Sequence, residues 1–234
     1  DKLTIKPRDV VGKESEVVLD AKTSGTIFYI GLGKKDKYTL QKVRKSAAKL
    51  LAQAKSLQHT TLAIRIGSFT EKFSTEDVVC AMTEGLILSS YRFDKYKSKP
   101  APVKEVPDVV FVLDTASDLK EAKKALSEAQ TVCEAVFFTR NLANEPANVM
   151  TPPAFAQAVK QMAAKNNLTC RVLGISEIRK LKMGGILGVS QGSSFPPQLV
   201  ILENNVKTST RPIVLVGKGV TFDTGGISIK PSAE

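Results

Sequence analysis

Histidine is almost missing from this sequence: His59 is the only one in 234 residues, tryptophan is absent, and there are three cysteines. One imidazole cannot supply a zinc site with two or three histidine ligands, and a Ser-His-Asp mechanism would rest on His59 alone. Cys80, Cys133 and Cys170 are odd in number, far apart and form no C-x-x-C, which argues against a disulfide framework and a thiolate metal site. Each lies in an apolar stretch, so buried reduced thiols and a cytoplasmic protein are expected. No apolar run approaches the roughly 18–20 residues of a membrane span, and no charged-then-apolar leader opens the chain. A membrane partner is therefore not expected. The chain opens on Asp1 rather than Met, so a preceding segment is expected, and an organellar address within it stays open.

What is present looks globular. Hydrophobic residues make up 42% and charged residues 24%, ordinary values that argue against disorder. At about 150 residues per domain, the length fits one large or two small domains. Acids are scarce relative to bases, 23 against 34, for a net charge of +11. The excess is concentrated in Lys34, Lys35, Lys37, Lys42, Arg44, Lys45, Lys49 and Lys55, with Asp36 the one acid among them. Such a run reads either as a nucleic-acid or anionic-surface patch or as the solvated face of one helix. Leu40, Val43, Ala47, Leu50, Ala54 and Leu57 step by three or four between the basic positions, which is an apolar helical stripe. No aromatic residue interleaves for base stacking. The solvated face is the preferred reading.

Strands and helices alternate along the chain. Strands are expected at Thr26–Ile30, Thr61–Ile66, Val109–Leu113, Leu168–Leu173, Ile186–Val189, Leu199–Leu202 and Ile213–Val216. Helices are expected at Thr39–Leu57, at Thr75–Ser89 with Ser74 and Asp77 as a capping box, and at Asp118–Leu142. Two more are expected from Thr151 to about Asn166, with Pro152 in the first position, and at Ser176–Lys182. This alternation argues for α/β layers. Lys and Pro crowd together at Lys95–Pro107, as in a linker, although the Val109–Leu113 strand fits the first domain.

Three segments are dense in unusual residues. Arg140–Asn148 carries three asparagines and a proline after a long helix, which suits a structured turn. Met183–Ser193 is glycine-rich without a phosphate-loop pattern, so strand turns and tight packing are expected there. In Val216–Ser232 an apolar strand leads into Lys218 between two glycines, then Asp223 before Gly225-Gly226, then Lys230. Functional groups gather at the carboxyl ends of α/β strands, and glycine lets backbone approach a ligand closely.

This last segment, VGKGVTFDTGGISIKPS, closely resembles the signature of the leucyl aminopeptidase family of metallo-exopeptidases. Further matches follow in order: Gly85–Ser98 with SYRFDKYKS, Asn141–Thr151 as NLANEPANVMT, and Leu181–Pro197 as LKMGGILGVSQGSSFPP. The resemblance implies an α/β fold. A partial amino-terminal three-layer α/β domain (1–117) would be joined by a connecting helix and turn (118–145) to the first part of a zinc-exopeptidase-like catalytic domain (146–234). It implies a hexameric, cytosolic enzyme that removes amino-terminal residues from peptide substrates through a metal-bridged water. Two divalent metal ions (zinc, manganese or magnesium) are implied, with a bicarbonate in the complete protein. Position by position, Lys218 matches a lysine metal ligand and Asp223 a carboxylate bridging both metals. Lys230 matches the lysine that polarises the substrate carbonyl.

Physical chemistry is consistent with those roles. A lysine ligates a metal only as the neutral amine, and nearby dications disfavour the ammonium form. Two metals about 3.5–4 Å apart share and acidify a water. A charged Lys230 suits developing oxyanion charge. One carboxylate cannot hold two dications, however, and the family's further Asp and Glu ligands follow its signature. The chain is thus expected to be an internal piece of a protein about twice as long, and inactive as a peptidase by itself. The alternatives are a catalytically silent relative with a scaffold role and a nucleic-acid binder using the Lys34–Lys55 face.

Overall fold

The structure is a computed structural model that describes residues 12–14, 16–22, 25–99, 105–204, 211 and 213–222. The chain divides into two compact units, Asp1–Asn141 and Leu142–Glu234.

In the first unit, β1 (Val17–Lys22) and β2 (Gly25–Ile30) form an antiparallel hairpin with Val17 opposite Ile30. Helix α1 (Leu40–Ser56) follows, capped by Thr39, whose hydroxyl accepts from the Lys42 amide at 3.4 Å. Val43, Ala47, Leu50 and Ala54 form its buried face, while Lys45 and Lys49 point to solvent. Five of the eight basic residues of the run lie on α1; Lys45 and Lys49 are exposed, whereas Lys42 and Arg44 are half-buried and ion-paired.

Strand β3 (Thr61–Arg65) pairs in parallel with β4 (Asp108–Val112), Thr61 opposite Asp108. Leu62 and Ile64 alternate inward from β3, and Val109 and Phe111 of β4 pack against the same core. Parallel neighbours need a crossover, and α2 (Thr75–Ser89) supplies it. The β4 strand therefore belongs to the first unit.

Helix α2 begins where expected. The Ser74 hydroxyl accepts from the Asp77 amide at 3.1 Å, and the Ser74 amide donates back to Asp77 Oδ2 at 3.4 Å. Replacing Ser74 with Ala removes one cap oxygen, and the loss should be about 1 kcal/mol. Chemical denaturation of S74A against the parent chain measures it; an unchanged midpoint would mean that solvent replaces the cap at no cost.

Helix α3 (Leu119–Asn144) turns Ala122, Ala125, Ala129 and Cys133 inward at three- and four-residue steps. It runs two residues past the expected end, through Ala143 and Asn144, because nothing before Pro146 breaks it. Towards its end the Tyr91 hydroxyl donates to Asn141 Oδ1 at 2.9 Å, and Arg140 Nη1 donates to the Leu88 carbonyl at 3.1 Å. The SYRFDKYKS segment is thereby a local clamp. Asp94 within it pairs with Lys97 at 2.7 Å and Arg92 at 2.6 Å. Its carboxyl is held below the usual range, first by the Lys97 hydrogen bond.

The second unit starts with α4 (Pro152–Lys165), capped by Thr151, whose hydroxyl accepts from the Ala154 amide at 3.4 Å. Strand β5 (Thr169–Leu173) pairs antiparallel with β6 (Leu199–Glu203), and α5 (Ile175–Lys180) and α6 (Gly184–Ser190) lie between them in sequence. Ala156, Val159, Ala163, Leu173 and Ile178 are its buried apolar residues.

Three expectations are corrected, and one strand was not foreseen. Ile186–Val189 is helical, within α6. A four-residue apolar run fits either period, so periodicity alone does not decide. The tight packing expected at Met183–Ser193 is not seen either: a Cβ added at Gly184, Gly185, Gly188 or Gly192 would meet nothing within 4 Å. Ile213–Val216 forms no strand. Leu215 is 92% and Val216 93% exposed, and neither β5 nor β6 pairs with them among the described residues. An apolar run becomes a strand only where a neighbour accepts its backbone hydrogen bonds. Strand β1 lacked a signal because Asp20 and Lys22 interrupt its apolar run.

Candidate functional site

Of the three residues expected to carry the chemistry, the structure describes one. Lys218 lies on the exposed segment 213–220, which is neither helix nor strand. Gly217 and Gly219 beside it are open, since a Cβ at either would meet nothing within 4 Å. Asp223 and Lys230 lie outside the described residues. Among the described residues no three His, Cys, Asp or Glu side chains gather into a metal-holding group. An amine and a bridging carboxylate are chemically suited to a divalent cation, but the described residues do not by themselves make its shell.

Elsewhere the structure shows groups that the sequence could not pair. Arg44 of α1 and Glu84 of α2, forty residues apart, form an ion pair with Nε–Oε2 2.5 Å. The Cys80 thiol donates to the other Glu84 oxygen at 3.8 Å. Burial first, and then the Glu84 charge, push the Cys80 thiol up, and the same two causes raise Cys133. Both stay protonated at neutral pH and are poor nucleophiles. Cys133 is buried while Cys80 and Cys170 are half-buried, and all three are free thiols.

A cavity of about 460 Å³ in the first unit is lined mainly by apolar residues, Leu51, Leu86, Phe111 and Leu126 among them. The Thr83 hydroxyl is buried there without a hydrogen-bond partner among the described residues. Among the described residues its polar lining is Thr83, Ser90, Lys123 and Gln130.

Two α/β units in this order, the second ending in a lysine-carboxylate-lysine signature, define a two-domain metallopeptidase-like chain. Comparison with known families agrees. Residues 4–100 match the model "Cytosol aminopeptidase family, N-terminal domain", and residues 137–234 match "Cytosol aminopeptidase family, catalytic domain". The chain belongs to the cytosol aminopeptidase family. It is 37% identical over 215 residues to a probable cytosol aminopeptidase of Rickettsia canadensis, covering 90% of this chain and 42% of that protein. The counterpart in Rickettsia bellii is 36% identical over 213 residues, covering 89% and 42%. The chain thus spans less than half the length of these curated relatives.

Two solved structures share the fold. A tomato leucine aminopeptidase mutant superposes with TM-score 0.81 at 28% identity, over 93% of this chain and 44% of that one. The bottromycin maturation enzyme BotP, in complex with Mn, superposes with TM-score 0.76 at 30% identity, over 97% and 47%.

Proposed function

We propose that the protein to which this chain belongs is a divalent-metal-dependent aminopeptidase acting on peptide amino termini. The observation that carries the reading is the spacing of Lys218, Asp223 and Lys230 within a segment matched by the family's catalytic-domain model. Lys218 and Asp223 would hold metal as part of a larger shell, Lys218 as a neutral amine and Asp223 as a carboxylate. Divalent metals, when bound, supply Lewis-acid activation of water near neutral pH. Lys230 stays protonated and places its ammonium against the substrate carbonyl, where negative charge builds in the transition state.

The reading extends to zinc, manganese or magnesium as the metal, a bicarbonate near it, a hexamer and a cytoplasmic location. Manganese draws support from the BotP complex. The domain scheme 1–117, 118–145 and 146–234 is part of the same proposal. So is the inactivity of residues 1–234 alone, because one lysine and one carboxylate do not complete the shells of two dications.

Purified full-length protein supplied with manganese should hydrolyse leucyl-p-nitroanilide. A chelator should reduce the rate to background, and added manganese should restore it. A folded, metal-loaded protein that leaves leucyl amides uncut would instead support a scaffold role.

A further inference from the structure

The basic run contains one place where the charge is not simply spread over a solvated face. Strand β2 ends in Gly31-Leu32-Gly33, and the turn Lys35–Lys37 follows before α1. Gly33 adopts φ +75°, in the left-handed region that favours glycine, and its amide donates to the Gly12 carbonyl at 3.1 Å. A Cβ there would lie 3.3 Å from both Lys42 Nζ and the Glu14 side chain. The missing side chain thus lets Lys42 fold over the backbone, where only 15% of its side chain is exposed and Glu14 holds its ammonium at 3.2 Å.

Around this floor lies a cleft of about 340 Å³ lined by Lys13, Lys34, Lys37 and Lys42, with Glu14 the one carboxylate among the described residues. Lys13, Lys34 and Lys37 form no ion pair among the described residues, whereas Lys35 between them is paired with Glu71 and does not line the cleft. The adjoining first turn of α1 carries no acid to offset them. Three ammonium groups with no ion pair among the described residues share one concavity, and a multivalent anion there gains charge-assisted hydrogen bonds. Lysine suits a phosphate as a point charge.

We propose that the cleft bounded by Lys13, Lys34, Lys37 and Lys42 is an anion site for a phosphate group carried by a small phosphorylated molecule. The site is independent of the peptidase reading. Its volume admits a diphosphate, and none of its residues belongs to the segment carrying Lys218.

The test is calorimetric titration of the chelator-treated chain with pyrophosphate at low ionic strength, which removes any contribution from bound metal. The double variant Lys34→Gln/Lys37→Gln should weaken binding about tenfold or more, as expected for lost charge-assisted hydrogen bonds. The control Lys45→Gln/Lys49→Gln removes the same charge from the exposed side of α1 and should change affinity less than twofold. Glu14→Gln should tighten binding, which a merely structural role of the cleft does not predict. Failure of pyrophosphate to bind, or equal losses in both double variants, would overturn the proposal. Displacement of pyrophosphate by a short single-stranded oligonucleotide would assign the phosphate to nucleic acid, and its failure to compete would assign it to a small molecule.

Discussion

Replacing Gly85 with Ala should destabilise the first unit, although alanine is the better helix former. Gly85 lies in the interior of α2, where the exchange alone is worth about 1 kcal/mol in favour of alanine. The added Cβ, however, would stand 2.3 Å from the Arg44 carbonyl oxygen and 2.8 Å from the Ala47 Cβ, both on α1. The first is backbone and cannot rotate away. To make room, α1 would have to lift off α2 across a seam that includes the fully buried Val43, Ala47, Val78 and Met82. It would also disturb the Arg44–Glu84 ion pair beside the crossing.

Overpacking of this kind costs about 1–3 kcal/mol, occasionally more, so the net loss for alanine is smaller than that for valine, which adds bulk and branching. Urea denaturation should show G85A below the parent chain and G85V lower still, with an unchanged slope. A G85A midpoint at or above the parent's would show that the two helices separate freely.

The second large effect concerns the proposed reaction. Lys230→Ala in the full-length protein should lower kcat by about two to three orders of magnitude, the usual loss when one group stabilising an oxyanion is removed. KM should move little, because the interaction strengthens only as charge develops. Bound metal, measured by atomic emission, should be unchanged in K230A. Lys218→Ala should instead lower the metal content itself. A kcat for K230A within tenfold of the parent, with metal retained, would remove Lys230 from the chemistry while leaving the metal reading intact.

Much of the secondary structure was legible because its signals are local. The Ser74–Asp77 box, the Thr151-Pro152 start and the apolar stripe of α1 each need only a few neighbouring residues to act. Strand β4 was legible from its β-branched run. Its parallel pairing with β3 follows from the intervening helix rather than from any residue in either strand. The errors fell on short apolar runs, where the same four residues serve as helix or strand. Ile186–Val189 became helix inside the second unit, and Ile213–Val216 found no strand to pair with among the described residues.

The candidate site divides along the same line. The order and spacing of Lys218, Asp223 and Lys230 are properties of the chain, and they identify the family without any coordinates. Of the three, the described residues include Lys218, on an exposed segment. Conversely, no sequence pattern marks the Arg44–Glu84 pair, the Gly85 crossing or the lysine cleft. Each joins residues of different elements, and Lys42 pairs with Glu14 close beside Gly33, where a Cβ would lie 3.3 Å from the Lys42 ammonium.

A single histidine leaves these residues no site with two or three imidazole ligands. By itself the sequence determined the alternating α/β pattern, the helix caps and the family, because these depend on near neighbours and on residue order. Only the tertiary structure decided which lysines stay solvated, which meet a carboxylate and which crowd around one cleft. Charge repulsion and pairing act through space, over distances set by packing rather than by position along the chain.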